Sequence, residues 1–541
     1  MAAVIAVYRN IVYHKLKNKS IKHIKLNTDK HILLSTERYS FMAEKNNKYD
    51  VKQSMHTYCN PMSLPDIPRG KDEWYKFERG MFSHENKPAS VTSPDYRSIS
   101  DPTVFYYDNK WYLYPSYGMA WVTEDFENWK HVRTEPYCPK YSPCITPWKG
   151  KFLLTAWYSP LYVGDTPLGP FKEMGEYELK DGTKFTPCDP CIFTDDDGRI
   201  YLYAFEWVSG DEPVTKIVGY ELDKDNPCKV INGPVDIVVM DPENKPWERQ
   251  GAHYQNTRFG WVEGPHLLKY HGRYYMIYAA PDTCHPNYCM AVYYSDETPL
   301  SGFVCQKKNP LSLSKGGIVS CAGHGCVEKG PDDTLWAFYT IAVPFAHIYE
   351  RRIGMDRVAV DENGELYMPC GVTDNPQYVQ GSEKTDERGN KVYSAGLVSL
   401  NGWVRPKATS NAPGREAVFA TDENVLSFWQ PADDDNAPAI ECDLSGKYLV
   451  GAVRLFWRDV DLDYASGKTP EPVRFVLEGV CGDKTFTLVD ASDNNTELNI
   501  DYRTFDMTLC EKVRLKILPR KLKTGLIDFA VFGRLPERNE L

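Results

Sequence analysis

Three acidic residues stand at the beginning of similar sequence patterns. Asp101 begins DPTVFYYDNKWYLY, Asp189 begins DPCIFTDDDGRIYLYAF and Glu263 begins EGPHLLKYHGRYYMIYAA. Hydrolysis of a glycosidic bond uses such groups, because one carboxylic acid protonates the leaving oxygen while one carboxylate activates water. A third carboxylate can raise the pKa of the acid and fix its orientation. An isolated Asp-Pro is usually a turn, but three acids in phase with a repeat indicate chemistry.

The elements that must position these acids belong to an internal repeat. Two further segments, beginning at Ser142 and His324, share its pattern of a polar residue, a small residue or Pro, an apolar strand, a polar turn and an aromatic strand. Each segment predicts a β-hairpin, and the extended stretches that follow predict two outer strands. Such units bury their faces when they are arranged radially, so residues 98–358 predict a five-bladed β-propeller. We expect residues 58–70 to close the ring of blades.

The first strand of each propeller blade lines the central channel, so equivalent residues of the repeat lie close together. Alignment of the hairpins on their turns gives five residues at one end of this channel, namely Asp101, Ser142, Asp189, Glu263 and His324. Carboxylates crowded together repel one another and raise at least one pKa. We therefore expect the three acids to share one pocket.

Length and composition favour a large, all-β protein. The 541 residues exceed one hydrophobic core, so we expect two domains and a short appendage. Aromatic residues make up 13% of the chain and Gly and Pro recur throughout, which favours short strands and tight turns. The net charge of −11 argues against a nucleic-acid partner. No apolar run approaches the roughly 20 residues of a membrane span, so no membrane partner is expected. A neutral oligosaccharide is the expected partner, and the oligomeric state stays open.

The 15 cysteines are scattered along the chain, which favours reduced thiols in a cytosolic protein over a disulfide framework. Two local patterns raise the alternative of a structural zinc ion, namely Cys188 with Cys191 and Cys321 with Cys326. A lone C-x-x-C is a weak signal, and alternate strand residues face opposite sides. Buried free thiols are therefore the preferred interpretation.

Residues 1–56 predict an N-terminal extension. A short apolar run broken by Arg9 precedes a Lys-rich stretch, with no cleavage site of a secretory signal. We expect a poorly ordered, solvated segment and a cytoplasmic protein. A mitochondrial-type presequence is one alternative, and secretion is another if residues 1–41 are not the natural start.

The motifs ISDP, CDP, VEGPHLLKYHGRYYMIYA and GHG, together with TEDFENW, resemble glycoside hydrolase family 43 over residues 57–370. The resemblance implies an inverting, single-displacement hydrolase. It implies that Asp101 is the general base, that Asp189 modulates pKa and orientation, and that Glu263 is the general acid. Inversion predicts about 6.5–9.5 Å between the base and acid carboxyls, which leaves room for a water.

The same resemblance implies two further site residues. His324 corresponds to the channel histidine of the family, which often holds a calcium ion with waters; a hydrogen-bonded core histidine is the alternative, because calcium prefers oxygen ligands. Arg351, in YERRIGMD, stands where the family carries an arginine that touches the sugar, although the neighbouring Arg352 leaves the register open. Tyr141-Ser142-Pro143 departs from the Trp-Ala-Pro common in the family. No organic cofactor is expected.

Four more residues are candidates for substrate binding. Trp157 and Phe205 end second strands of the repeat, where an aromatic ring either stacks on a sugar or packs between blades. Trp247 and Glu248 lie in the long stretch between the second and third acids, which forms either part of a pocket rim or a surface loop.

The rest of the chain predicts a second β domain. We expect a polar linker over residues 371–393 and, from 394 to 541, a β-sandwich indicated by the alternation in LVGAVRLFW, PVRFVLEGV and KVRLKILP. The runs GREAVFATDENVLSFWQP and PAIECDLSGKYLVGAVRLFW resemble the discoidin-like module, also called coagulation factor 5/8 type C, with Asp422, Trp429 and Asp443-Leu444 in the matching places. This resemblance covers most of residues 394–541. Support of the propeller is its expected role, because no clear aromatic platform for a sugar is evident.

The resemblance implies an exo-acting glycosidase that removes terminal β-D-xylose or α-L-arabinofuranose from plant-derived oligosaccharides. A galactan-acting enzyme of the same family is an alternative. Enzymes of the invertase type share the architecture but carry Asn-Asp-Pro and Glu-Cys motifs, where this chain has SDP and EGP. A non-catalytic sugar-binding propeller and a protein-interaction scaffold are disfavoured by the three acids in the channel.

Overall fold

Short strands joined by tight turns dominate the protein, as the alternating, turn-rich sequence predicts. The computed structural model describes residues 55–65, 99–116, 119–134, 141–313, 316–344, 350–402, 404–462, 468, 470–538 and 540. The predicted extension over residues 1–56 therefore lies almost wholly outside the described residues. Helical segments within the described ranges are short 3₁₀ turns at Pro246–Glu248, Ala252–Tyr254, Pro331–Asp333 and Ala417–Ala420. No helix among the described residues has the length and apolar character needed to cross a membrane.

Five four-stranded antiparallel sheets form the blades of the predicted propeller, which confirms the all-β fold class. Each blade uses four consecutive strands of the chain. From the innermost to the outermost strand, the blades are Thr103–Tyr107, Lys110–Tyr114, Met119–Thr123 and Lys130–Arg133 (blade 1); Cys144–Trp148, Lys151–Thr155, Leu161–Gly164 and Phe171–Gly175 (blade 2); Cys188–Thr194, Ile200–Val208, Val214–Leu222 and Val230–Val239 (blade 3); Glu263–Tyr270, Arg273–Ala280, Cys289–Ser295 and Val304–Cys305 (blade 4); and Gly323–Lys329, Leu335–Ala342, Arg351–Val360 and Leu366–Tyr367 (blade 5). A small hairpin of Tyr177–Glu178 and Lys184–Phe185 precedes blade 3.

Two-residue turns join the inner strands of three blades. Asp108-Asn109, Lys149-Gly150 and His271-Gly272 have positive φ at both positions, between 48° and 83°. Two successive left-handed residues are typical of a type I′ turn, which matches the twist of the paired strands and favours Asn, Asp and Gly. These turns fix the register of each hairpin, so the residues seven positions before them reach the same end of the channel.

The innermost strands pack side by side around the channel, and contact between the first strands of blades 1 and 5 closes the ring. Large side chains fill the space between blades. Trp111 of blade 1, for example, is buried, and its ring centroid lies 6.1 Å from that of Phe338 of blade 5. Burial of a large apolar side chain contributes about 1.5–3 kcal/mol. Hydrophobic packing between neighbouring blades therefore holds the ring together.

The described part of the segment that was expected to close the ring does not supply a strand to a blade. Thr57–Tyr58 pairs instead with Gln377–Tyr378, beyond blade 5. The side chain of Asn60 is fully buried and bonds to the backbone of Met355 in both directions, at 2.9 Å each. The backbone N–H of Met62 also donates to the Ile353 carbonyl on the third strand of blade 5 (2.9 Å). The described part of the segment therefore packs along blade 5, and its role in closing the ring stays a prediction.

A folded β-sheet follows the propeller. The predicted linker contains a hairpin of Lys384–Thr385 and Lys391–Val392. Beyond it, the sheet has seven strands, namely Val398–Ser399, Lys407–Ala408, Ala439–Asp459, Phe475–Cys481, Lys484–Ala491, Ile500–Ile517 and Thr524–Arg534. The first half of Ala439–Asp459 pairs with Lys407–Ala408, while its second half pairs with Thr524–Arg534. A break in register after Asp443 separates the halves, as expected for a strand that bends between two layers, which is consistent with the predicted sandwich.

Arg454 of this second domain reaches the segment that covers blade 5. Its guanidinium donates to the Asp528 carboxylate (3.0 Å), to the Asn60 carbonyl (2.6 Å) and to the Asp374 carbonyl (3.1 Å). A buried cation needs such partners to offset its lost hydration. The propeller and the second domain therefore share a hydrogen-bonded interface.

Candidate active site

Asp101 lies just before the first strand of blade 1 and is 4% exposed. Its Oδ2 accepts hydrogen bonds from the hydroxyls of Ser100 and Ser116 (2.8 and 2.6 Å), and its Oδ1 accepts one from Arg351 Nη1 (3.1 Å). Burial acts to raise the pKa of Asp101, but the charges of Arg351 and His324 and the serine hydroxyls outweigh it, so the pKa lies below its usual range. Asp101 is therefore ionised at neutral pH.

A chain of hydrogen bonds joins Asp101 to Asp189. The hydroxyl of Ser116, which donates to Asp101, accepts the backbone N–H of Ser142 (3.1 Å), and the Ser142 hydroxyl donates to Asp189 Oδ1 (2.9 Å). Burial raises the pKa of Asp189, and the charge of Asp101 acts in the same direction, although His324 and Ser142 oppose it. The first two acids are thus linked both by hydrogen bonds and by repulsion between their charges.

Glu263 begins the first strand of blade 4 and is held by two aromatic donors. The Tyr288 hydroxyl donates to its Oε1 (2.5 Å) and the Trp261 indole N–H donates to its Oε2 (2.7 Å). Burial raises the pKa of Glu263 to about 7, and the charge of Asp189 adds to this effect against the two hydrogen bonds and His324. Asp189 therefore lies within range of the charges of both other acids, and the pKa values of Asp101 and Glu263 are shifted in opposite directions.

Four of the five equivalent repeat residues share a left-handed backbone, namely Asp101, Ser142, Asp189 and His324, with φ of 50°, 46°, 45° and 35°. In blade 4 the left-handed residue is Gly264, with φ of 54°, so Glu263 stands one residue earlier than the alignment predicted. Non-glycine residues in this region cost about 1–3 kcal/mol each and cluster at functional sites. The strain is repeated at one end of the channel, where the acids lie.

The displacement of Glu263 has a steric cause. A β-carbon on Gly264 would lie 2.8 Å from two ring carbons of His324, well inside contact distance. Only glycine fits at this position, because any side chain would have to move the imidazole. The acid is therefore carried by the preceding residue, and the longer side chain of glutamate suits that position.

Arg351, and not Arg352, faces the acids, which resolves the register that the sequence left open. Besides Asp101, the Arg351 guanidinium contacts Thr283 Oγ1 (3.3 Å). The Arg352 guanidinium points instead to Asn499 of the second domain (2.9 Å). Arg351 therefore brings a positive charge directly to the carboxylate of Asp101.

A family model described as "Glycosyl hydrolases family 43" matches residues 86–366, which is more than half of the chain. The chain belongs to glycosyl hydrolase family 43. This is a family of glycoside hydrolases, and the matched residues cover nearly all of the five-bladed propeller.

Two curated relatives of this family 43 enzyme match parts of its chain. A "Beta-xylosidase" of Xylanibacter ruminicola is 28% identical over 22% of this chain and 40% of its own length. A "Beta-D-galactofuranosidase xynD" of Aspergillus niger is 25% identical over 38% of this chain and 53% of its own length. A solved structure described as an endo-1,4-β-xylanase from Bacteroides thetaiotaomicron is 24% identical, with a TM-score of 0.42, and covers 52% of this chain and 98% of that one. The matched region thus spans about half or less of the two curated relatives.

Trp157, a predicted aromatic platform of the family 43 enzyme, lies beside the second acid. Its indole N–H donates to the sulfur of Cys188 (3.0 Å), the residue before Asp189. Its ring meets Tyr141 edge-on, with centroids 5.6 Å apart. Trp157 is half-buried, so part of its surface stays open to a ligand while the hydrogen bond fixes its orientation.

Phe205 and Trp207 form an aromatic cluster next to the third acid. Phe205 and Trp207 both contact Trp261, the indole donor to Glu263, with centroids 5.2 and 5.6 Å apart. Trp207 is 59% exposed, which makes it a second candidate platform that sequence reasoning missed. The signal was present, because residues two apart on one strand face the same side of the sheet.

The structure holds Trp247 and Glu248 through contacts apart from the three acids. The Trp247 indole donates to Tyr278 (3.0 Å), and that hydroxyl donates to Glu248 Oε1 (2.6 Å). Glu248 is fully buried, and its other oxygen accepts the backbone N–H of Asp241 (2.6 Å). These bonds brace the long stretch before blade 4, and a role at the pocket rim stays a prediction for both residues.

Within the part of the chain that the structure describes, no group of three or more His, Cys, Asp or Glu side chains is arranged to hold a metal ion. The fourteen cysteines of that part are free thiols. His324 offers one ring nitrogen, whereas calcium takes about six to eight oxygen ligands. The residues present do not form a protein-ligated calcium site, and the calcium ion implied by the resemblance enters no step below.

Proposed function

We propose that this family 43 enzyme is an inverting, exo-acting glycosidase that removes terminal β-D-xylose or α-L-arabinofuranose from plant-derived oligosaccharides. One observation carries the assignment of roles. The pKa of Asp101 lies below its usual range, while burial raises the pKa of Glu263 to about 7. Two carboxyls whose environments separate their pKa values supply a base and an acid at the same pH.

Asp101 acts as the general base. Its carboxylate accepts a proton from the water whose oxygen attacks the anomeric carbon. The hydroxyls of Ser100 and Ser116 hold one carboxylate oxygen in place, so the orientation of the base is set before the substrate binds. Because the attacking atom belongs to water on the face opposite the leaving group, the configuration at the anomeric carbon inverts.

Glu263 acts as the general acid. Its pKa of about 7 keeps a large fraction protonated in neutral solution, and it gives this proton to the glycosidic oxygen as the bond to the anomeric carbon breaks. Tyr288 and Trp261 orient the carboxyl from two sides. The leaving group departs as a neutral alcohol, and solvent then returns the proton from Asp101 to Glu263.

Asp189 adjusts the acid rather than reacting. Its charge raises the pKa of Glu263, and the Ser142 hydroxyl fixes its carboxylate (2.9 Å). A carboxylate in this position keeps the acid protonated over a wider pH range. Asp189 is thus a positioning and pKa-tuning residue.

The sugar specificity rests on the relative named as a β-xylosidase and on the aromatic side chains near the acids. Trp157 and the exposed Trp207 offer flat apolar faces that suit the C–H face of a sugar ring. A galactofuranoside is the second candidate substrate, because the relative named as a galactofuranosidase matches the longer share of this chain. A water-coordinated calcium ion near His324 and a cytoplasmic location are further proposals from the sequence.

Turnover of nitrophenyl β-D-xylopyranoside, α-L-arabinofuranoside and β-D-galactofuranoside tests the proposal. We expect hydrolysis of one of the first two by the wild type and a loss of about 10²–10⁴-fold in kcat for Glu263→Gln. Glu243→Gln, at an exposed glutamate, is the matched control and should retain activity. Proton NMR should detect the inverted anomer first. Preference for the galactofuranoside would replace the proposed substrate, and a folded wild type that cleaves none of them would refute it.

A further inference from the structure

A second set of equivalent side chains lies one layer further into the channel than the acids. In each blade, this side chain belongs to the residue two positions after the left-handed residue. We call the set the inner ring, and its members are Thr103, Cys144, Cys191, His266 and Cys326. The three cysteines and His266 are buried, with exposed fractions between 0% and 9%. The inner ring plays no part in the mechanism above.

Each buried member of the inner ring bonds to the backbone of the next blade. The sulfurs of Cys144, Cys191 and Cys326 accept the backbone N–H groups of Ile192, Leu267 and Val104, at 3.3, 3.4 and 3.2 Å. His266 Nε2 lies 3.2 Å from the Val327 carbonyl, so this nitrogen carries the proton that it donates. Burial lowers the pKa of His266 to about 4, which keeps the ring neutral. In every case the backbone partner lies three residues after the left-handed residue of its own blade.

The open edge of the innermost strands explains this pattern. Backbone N–H and C=O groups on that edge point into the channel, where the blade has no further strand to pair with them. A buried N–H without a partner costs about 1–3 kcal/mol. The side chain from the preceding blade supplies the missing partner. This hydrogen bond also fixes the position of one blade relative to the next along the channel axis.

We propose that the inner ring positions the catalytic carboxyls by locking the register between neighbouring blades. Cys191 ties the strand that carries Asp189 to the strand that carries Glu263. Cys326 ties the strand of His324 to the strand that follows Asp101. Two residues of extended chain, roughly 6–7 Å, separate each inner-ring residue from the left-handed position of its blade, and Glu263 of blade 4 lies one residue further. A shift between blades would therefore displace the carboxyls.

Metal binding does not account for the inner ring. The thiols of Cys144 and Cys191 also hydrogen-bond to each other, but each of the three sulfurs accepts a backbone N–H of the next blade. No group of three or more His, Cys, Asp or Glu side chains among the described residues is arranged to hold a metal ion. General hydrophobic packing by the thiols does not account for it either, because packing alone would not place a backbone partner at the same repeat position four times. The repetition assigns the sulfurs a directional role.

Cys191→Ala and Cys326→Ala test the proposal, with kcat, KM and the pH dependence of kcat/KM as measurements. Each change should lower kcat by about tenfold with KM within about twofold, since a small misplacement of reacting groups affects the chemical step most. Cys191→Ala should move the basic limb of the kcat/KM profile, where activity falls as pH rises, to lower pH. The reason is that the Asp189 carboxylate would lie further from Glu263. Cys326→Ala should move the acidic limb, because the surroundings of Asp101 change. Serine at either position keeps an acceptor and should recover most of the activity.

Cys510→Ala is the matched control, because it removes a fully buried thiol from the second domain. It should lower the melting temperature without changing kcat or either limb. The proposal fails if the inner-ring variants lose stability like the control but keep wild-type kcat and pH limbs, or if serine is no better than alanine. If the alanine variants do not fold, Cys191→Val and Cys326→Val take their place, because valine keeps the bulk of the side chain and removes the acceptor. Wild-type kcat and pH limbs in the folded valine variants would overturn the proposal.

The inference rests on the roles proposed for Asp101 and Glu263. The inference about the inner ring and the proposed roles of Asp101 and Glu263 can fail separately. A wild type without two pH limbs contradicts those roles, whereas two limbs that stay unchanged in the folded inner-ring variants contradict only the positioning by the ring.

Discussion

The imidazole of His324 lies so close to Gly264 that a β-carbon there would be 2.8 Å from its ring carbons. This contact joins blade 5 to the residue that follows the proposed general acid. It also explains why the acid of blade 4 precedes the left-handed position instead of occupying it. The pair therefore fixes both the place of Glu263 and the orientation of a histidine whose charge acts on all three acids.

Replacement of Gly264 by Ala should damage both stability and activity. The left-handed φ of 54° alone costs alanine about 1–2 kcal/mol, and the collision with His324 adds to this because the ring must move. We expect a lower free energy of unfolding in urea and at least about a tenfold loss of kcat. Gly272→Ala is the control, because Gly272 has φ of 83° with open space around it. Equal effects of the two substitutions on activity would contradict the steric explanation.

Arg351→Met should move the acidic limb of the pH profile to higher pH. Activity is lost as pH falls through the pKa of Asp101, because the base must be ionised. The charge of Arg351 holds this pKa below its usual range, so its removal raises the pKa and the limb follows. The measurement is kcat/KM against pH. Arg352→Met is the control, because that guanidinium contacts Asn499 of the second domain; it should lower stability and leave the acidic limb in place.

Asp189→Asn should move the basic limb to lower pH. Activity is lost as pH rises through the pKa of Glu263, about 7, because the acid must be protonated. The charge of Asp189 raises this pKa, so the neutral amide lets it fall. Ser142→Ala removes the hydrogen bond to Asp189 but keeps its charge, and should leave the basic limb near its wild-type position. A basic limb that Asp189→Asn does not move would show that this charge does not tune the acid.

The propeller was predictable from the sequence because its repeat is carried by strand alternation and by turn residues such as Asp108-Asn109 and His271-Gly272. The turn at Asp108-Asn109 also placed Asp101 correctly. The one-residue displacement of Glu263 was not predictable, because it depends on a contact with His324, some 60 positions away in sequence. Neighbours within one strand can be read from pattern, whereas contacts across the channel depend on the packed ring.

The contacts of the segment that is expected to close the ring were not predictable for a similar reason. Nothing in YCNPMSLPD distinguishes an outer strand of a blade from a segment laid against blade 5, because both are extended and partly apolar. The hydrogen bonds of Asn60 to Met355 and of Met62 to Ile353 place the segment along blade 5, and both partners come almost 300 residues later. Trp207 was missed for a different reason. The strand pattern places it on the same face as Phe205, but its exposure follows from where the strand ends.

Trp207→Ala should weaken binding of oligosaccharides more than turnover of small aryl glycosides. Trp207 presents 59% of its surface to solvent and touches Trp261, which holds Glu263, so a sugar stacked on it would lie on the side of the general acid. Loss of one aromatic stacking contact amounts to about 0.5–1.5 kcal/mol beyond buried area, or roughly a 2- to 12-fold rise in KM for a trisaccharide. Tyr107→Ala, at an exposed aromatic beside the hairpin turn of blade 1, is the control and should change neither parameter. An equal rise in KM for nitrophenyl glycoside and trisaccharide would place Trp207 at the cleaved sugar instead, and an unchanged KM for both would remove it from the substrate path.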